Sequence, residues 1–232
     1  MPCFGVAGNF TGHLEQAGEA VDFANVVTKE ANAPKAMFPT YIPGNSTEVP
    51  EFLHTFPFEC GKIIFPANEQ KLQIEPECAI ICCLEWDGEN VVSVKPVAFG
   101  ASNDCSIRKE GAKKISLKKN WGKASKGLSE NLIAVDRFTA GGILDSYRIA
   151  SFLVRDGIAN VYGEDSPVSG YSYIYEKLIE STMSDSTVKI LPQIRSYVKL
   201  AQHRVKDESQ RESLENKLKQ MKLDIERQLL GH

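Results

Sequence analysis

Long apolar runs are missing from this chain of 232 residues. None approaches the roughly 18 residues that a membrane-crossing helix needs. The start, MPCFGVAGNF, lacks the basic opening and extended apolar stretch of a secretory leader, so a cytoplasmic protein is expected. An excess of positive charge is also missing: the formal net charge is -3, which gives no reason to expect nucleic acid. Six cysteines are present, yet none forms a CxxC pair, and the four histidines stand far from them. That spacing argues against a zinc site. Nothing indicates an oxidising compartment, so the cysteines are expected to be reduced and mostly buried as small apolar groups. There is no internal repeat.

What is present suits a soluble globular protein: 42% hydrophobic and 25% charged residues, with enough chain for one domain or a domain plus an appendage. CFGVAG (3–8) reads as a short buried strand. HLEQAGEAVDFANVVTKEA (13–31) reads as a helix weakened by Gly18. Residues 34–58, rich in Pro and Gly, read as loop. GKIIFP, CAIICCLEW and VVSVKPVAF read as strands, the last two joined as a hairpin through WDGENV. Residues 143–155 mix strand and helix signals, and YSYIYEKLIEST reads as helical. From about residue 187, Leu214, Leu218, Met221, Ile225 and Leu229 recur three or four apart, with charges between them. This is an amphipathic helix, either a coiled-coil association arm or a helix folded back on its own domain. The domain reading is therefore 1–186 plus a helical extension, 187–232.

Three stretches could carry chemistry. In IEPEC (74–78), Glu75 and Glu77 stand two apart, so an extended chain places both on one face. Pro76 between them fits only an edge or bulged strand. A solvated strand face is the plainer reading. Because the segment runs straight into apolar AIICC, the pair could instead bind a hard cation, magnesium or calcium. Asp104, in SNDCSIR behind the next apolar run, offers a third oxygen if the two strands pair. In that extended stretch Ser106 and Arg108 would face the same way as Asp104, with Cys105 facing away. KKNWGKASKG places Lys123 and Lys126 after Trp121. They are either surface charge or groups that stabilise an oxyanion or enolate beside a metal. His13 opens the first helix, where the macrodipole favours the neutral imidazole that a general base requires.

Taken in order, GNFTGH (8–13), IEPE (74–77), FGASNDCSIR (99–108) and WGKASKG (121–127) resemble the motifs of the fumarylacetoacetate hydrolase family, over about residues 3–180. The resemblance implies an α+β fold built on a mixed β-roll, with an N-terminal lid helix and a homodimeric assembly. It implies a divalent metal, usually magnesium, with calcium or manganese as substitutes, held by Glu75, Glu77 and Asp104. It implies that Asn103 and Arg108 shape the substrate pocket, that Lys126 (or Lys123 in its place) stabilises developing negative charge, and that His13 activates water; the nearby Glu15 or Glu19, outside the family pattern, could aid it. The departures have chemical weight. The lid glutamate expected three residues after His13 is Gln16, and a Gln cannot orient or charge-stabilise an imidazole as a carboxylate does. The motif tyrosine is Phe10. FPT (38–40) replaces the usual Phe-x-Lys, and a Gly-Thr-Pro-x-Gly segment is missing near the C-terminus. Two functions follow as expectations. One is a metal-dependent hydrolase, decarboxylase or isomerase cleaving a C–C bond in a small oxo acid or β-dicarbonyl compound. The other is a non-catalytic scaffold that self-associates through the 187–232 helix. A thiol sensor built on Cys82 and Cys83 is a weaker third reading, since neighbours on a strand face opposite ways.

Overall fold

The computed structural model describes residues 2–9, 36–44, 47, 49–59, 61–69, 71–87, 90–108 and 115–184. The expected helix at 13–31 and the expected helical extension at 187–232 lie outside these residues. Those described form mostly strands with few helices, an α+β arrangement.

Its centre is a long antiparallel hairpin. Strand β4 (Pro76–Asp87) pairs with β5 (Asn90–Asn103). β4 is the edge of a four-stranded sheet, and β5 is flanked on its other side by two short strands, Gly127–Leu128 and Ile133–Ala134. Pro76 is the first residue of β4, where the missing N–H removes no interior ladder bond. Pro96 sits inside β5 but beside a bulge: Ile81 pairs with Ala98 and Cys82 with Pro96, leaving Val97 over. A bulge is one of the places where a strand accommodates proline. The hairpin expected from the two apolar runs and the WDGENV turn is present.

Apolar side chains cover the hairpin at both ends. Near the turn, Leu84, Val91 and Val94 pack with Ile42, Val49 and Leu53. Near the open end, Cys78, Ile80 and Phe99 pack with Leu144 and Val168.

Two expectations are corrected. The 34–58 stretch contains β2 (Ala36–Tyr41), which pairs antiparallel with β1 (Cys3–Ala7). Its Pro39 sits where the register shifts, which is why a proline is tolerated. Gly5 on β1 lies flat under the Phe38 ring, close enough that a Cβ would come within 2.4 Å of it. GKIIFP, in contrast, is not a strand: residues 61–66 find no partner strand among the described residues and are held by single bonds, such as Ile64 N–H to Ala124 O at 2.8 Å. The ambiguous 143–155 stretch divides into a 3-10 turn, Ile143–Ser146, and two short strands. In YSYIYEKLIEST only Glu176–Ser184 is helical, because Tyr175 adopts a left-handed φ of 57° that breaks the helix before it. No helix of the described residues is long and apolar enough to cross a membrane.

Candidate functional site

Strand ends bring the chemistry together. Two-residue strands continue the sheet beyond the hairpin's open end: β3 (Leu72–Gln73) pairs with β6 (Ser106–Ile107), and β7 (Gly127–Leu128) pairs with Ser102–Asn103 of β5. Pro76 faces Asn103, and Asn103 faces Gly127. Glu75 is one residue before β4, Asp104 one after β5, and Lys126 one before β7. The register alone therefore sets these three side by side. Asp104 N–H donates to Glu75 O at 2.8 Å, and Glu75 N–H donates to the Asn103 side-chain carbonyl at 3.1 Å, which locks the junction. Asn103 is thus a clamp between two strand ends.

A second lysine joins them from the segment 116–120. The single helical turn Ser116–Lys119 is pinned to β2 by Ser116 Oγ donating to Pro39 O at 2.8 Å. Asn120 continues the anchorage, donating to Thr40 O at 2.7 Å and to Thr55 O at 3.0 Å. The chain then turns through Ala124, at φ 55°, and delivers Lys126, whose N–H donates to Pro57 O at 3.0 Å. A left-handed non-glycine residue two positions ahead of a buried lysine is the sort of strain that surrounding contacts must hold in place.

The charges are arranged as follows. Lys119, 2% exposed, donates to Glu75 Oε2 at 2.6 Å and to Asp104 Oδ2 at 2.9 Å. Lys126, 1% exposed, donates to Asp104 Oδ1. Ser106 Oγ donates to Glu75 Oε1. Glu77 is turned elsewhere and accepts from the Tyr171 hydroxyl at 2.6 Å, while that hydroxyl accepts from Cys78 N–H at 3.2 Å. Burial pushes the Glu77 carboxyl up to about 7, opposed by the Tyr171 hydrogen bond and reinforced by the Asp104 charge. Burial also acts against ionised Asp104, but the attraction of Lys126 and Lys119 outweighs it, and that carboxyl is held below its ordinary value. For Lys126, burial and the repulsion of Lys119 together exceed the pull of Asp104, and its ammonium is weakened. For Lys119 the balance is reversed: burial is overcome by Asp104 and Glu75, and its proton is held more firmly.

One side of this cluster opens on a cavity of about 400 Å³, lined mainly by apolar groups. Glu77, Asp104, Lys126, Ser102, Asn9 and Tyr171 are among its polar lining groups. Asn9, from the opening GNFTGH motif, fixes the far wall. Its side chain donates to Tyr173 O at 2.8 Å and accepts from Tyr173 N–H at 2.7 Å. A mostly apolar space with a few converging polar groups is the common form of a small-molecule site.

Of the residues singled out from sequence, Glu75, Glu77, Asp104, Asn103 and Lys126 therefore meet at the hairpin's open end. Asp104 and Ser106 face the cluster as expected from alternation. Arg108 instead turns to Gln73, its Nε donating to Oε1 at 2.7 Å. Lys123, the alternative to Lys126, is exposed, whereas Lys126 is buried and borders the cavity. His13 and Glu15 lie outside the described residues. Lys119 and Tyr171 were not singled out. Lys119 had a faint signal, a lysine two residues before Trp121 in a stretch already suspected. Tyr171 had none, standing in a run that reads as helix.

The implied magnesium can be tested against this arrangement. Carboxylate oxygens suit a hard cation. Here, however, ammonium groups hold two of the three carboxylates and a phenol holds the third. Among the described residues no three His, Cys, Asp or Glu side chains are grouped to hold one ion. As arranged, the trio does not fit the metal.

Residues 19–205, more than half of the chain, match the family described as "Family of unknown function (DUF5718)". The chain belongs to this family. No curated protein and no solved structure matches it. For this DUF5718 chain, functional argument must come from the cluster itself.

Proposed function

We propose that the chain is an enzyme that acts on a small oxo acid or β-dicarbonyl compound, breaking or rearranging a C–C bond beside a carbonyl. The observation that carries this reading is Lys126: an ammonium buried from bulk solvent, anchored by Asp104, that borders a cavity. A substrate carbonyl oxygen that accepts from Lys126 would gain most when it becomes negative, since a preset donor in a low-dielectric pocket favours developing charge over the neutral ground state. As the C–C bond breaks, its electron pair moves onto that oxygen as an enolate, and the other fragment leaves as carbon dioxide where it was a carboxylate, or as a carboxylic acid where water has first added to its carbonyl. A proton must then return to carbon. Glu77, whose carboxyl titrates near neutrality beside the cavity, is suited to donate it. Tyr171 holds Glu77 in place. His13 and Glu15 belong to the proposal as groups that handle water or the proton. The β-roll of the fumarylacetoacetate hydrolase type is part of the same reading, and the hairpin with strands on both flanks of β5 supports it.

A homodimer also belongs to this proposal. The strands Phe152–Arg155 and Ile158–Val161 form a separate hairpin with Phe152, Val154 and Val161 exposed on one face. A two-stranded ribbon is marginal by itself, and such a face favours a covering surface.

The test is a panel of acylpyruvates and oxaloacetate, assayed with magnesium and with a chelator. Turnover should appear and should fall by roughly 100-fold or more in Lys126→Gln, the scale for removing one preset oxyanion donor. No turnover of any panel member would favour the scaffold reading instead.

A further inference from the structure

Lys119 is not needed by the mechanism just given. It does not border the cavity, whereas its partner Asp104 does. An ammonium has three N–H donors. All three of Lys119 are used, on Glu75 Oε2 at 2.6 Å, Asp104 Oδ2 at 2.9 Å and Asp104 O at 3.1 Å. The Phe38 ring closes another side, its centroid 5.9 Å from Nζ. The other oxygens of the two carboxylates are also engaged, Glu75 Oε1 by Ser106 and Asp104 Oδ1 by Lys126. We infer that the Lys119 ammonium is the resident counter-cation of Glu75 and Asp104, occupying the position the sequence resemblance would give to a divalent ion, so that this carboxylate group holds none.

Three features support the assignment. The lysine arrives on a turn fastened at both ends to the β2 side, through Ser116 and Asn120, so it cannot drift away as a free ion can. Magnesium demands near-octahedral oxygens at short range and sheds water reluctantly. To gather Glu75 and Asp104, it would have to expel a buried ammonium and leave that charge without partners, a costly exchange. The inference stands on the geometry of the cluster, whichever substrate enters the cavity.

The experiment is calorimetric titration of the full chain with Mg2+ and, separately, Mn2+. The wild type should give no binding heat that Asp104→Asn removes. A folded Lys119→Met chain should gain Mn2+ binding, with a dissociation constant below about 1 mM, the weak end for protein sites of hard cations. Adding Glu75→Gln to it should abolish the gain. Wild-type binding that vanishes in Asp104→Asn would overturn the inference. So would a folded Lys119→Met chain that still takes up no Mn2+, because Lys119 would then not be what fills the place. If Lys119→Met does not fold, the wild-type titration decides alone. Turnover is a separate readout: an active enzyme that needs magnesium at this cluster sinks the inference and leaves the proposed function standing.

Discussion

Replacing Lys119 with Met removes the cation from a buried network while keeping much of the side-chain volume. The consequences for its partners differ. Asp104 is 19% exposed, keeps Lys126, and can turn toward the cavity. Glu75, only 4% exposed, keeps a single side-chain partner, the Ser106 hydroxyl. Almost the whole cost therefore falls on one stranded carboxylate, and breaking a buried ion pair from one side costs about 3–5 kcal/mol. Against a total stability of roughly 5–15 kcal/mol that is a large fraction. In urea, with a slope near 2 kcal/mol per molar, the midpoint should fall by about 2 M. Measured in chelator, the double variant Glu75→Gln/Lys119→Met should recover more than half of the loss, since it leaves no buried charge to strand. A loss under about 1 kcal/mol, the scale of a surface pair, would refute the claim that this network is buried and mutually dependent.

Two further outcomes test other parts of the account. Because the folded-state value of Glu77 lies above its ordinary 4.5, at about 7, its contribution to stability is present below 4.5 and is lost as pH rises through 7. Wild type should thus lose urea stability between pH 5 and 8 more steeply than Glu77→Gln, whose amide never ionises; parallel profiles would show that Glu77 is not under burial stress. Gly5→Ala would push a Cβ to within 2.4 Å of the Phe38 ring, at a cost of roughly 1–3 kcal/mol for overpacking. The melting temperature should drop by about 2–4 °C for each kcal/mol, and an unchanged melt would mean that β1 does not pack against β2 as described.

What the sequence made legible follows from the range of the forces involved. The β4–β5 hairpin was readable because apolar runs and a Gly turn are local signals. The meeting of Glu75 with Asp104 was readable because pairing those two strands fixes it. β2 was hidden: its Pro39 reads as a breaker, and only the bulge opposite Phe4 makes the proline acceptable. GKIIFP shows the reverse error, since an apolar run without a neighbouring strand cannot form a ladder. The cluster's acids could be nominated by spacing, but their counter-charge could not. Lys119 reaches them through a one-turn helix whose placement depends on contacts with Pro39, Thr40 and Thr55, some 60 to 80 positions earlier in the chain. Tyr171 was equally hidden, because a left-handed Tyr175 is a tertiary outcome that no propensity reveals.

The most direct measurement is an anomalous-difference map from crystals of the full chain soaked in millimolar Mn2+. The account predicts no manganese peak among Glu75, Glu77 and Asp104, with density for the Lys119 ammonium in contact with Glu75 and Asp104. A peak bonded to two or more of those carboxylates, with Lys119 displaced from them, would contradict it.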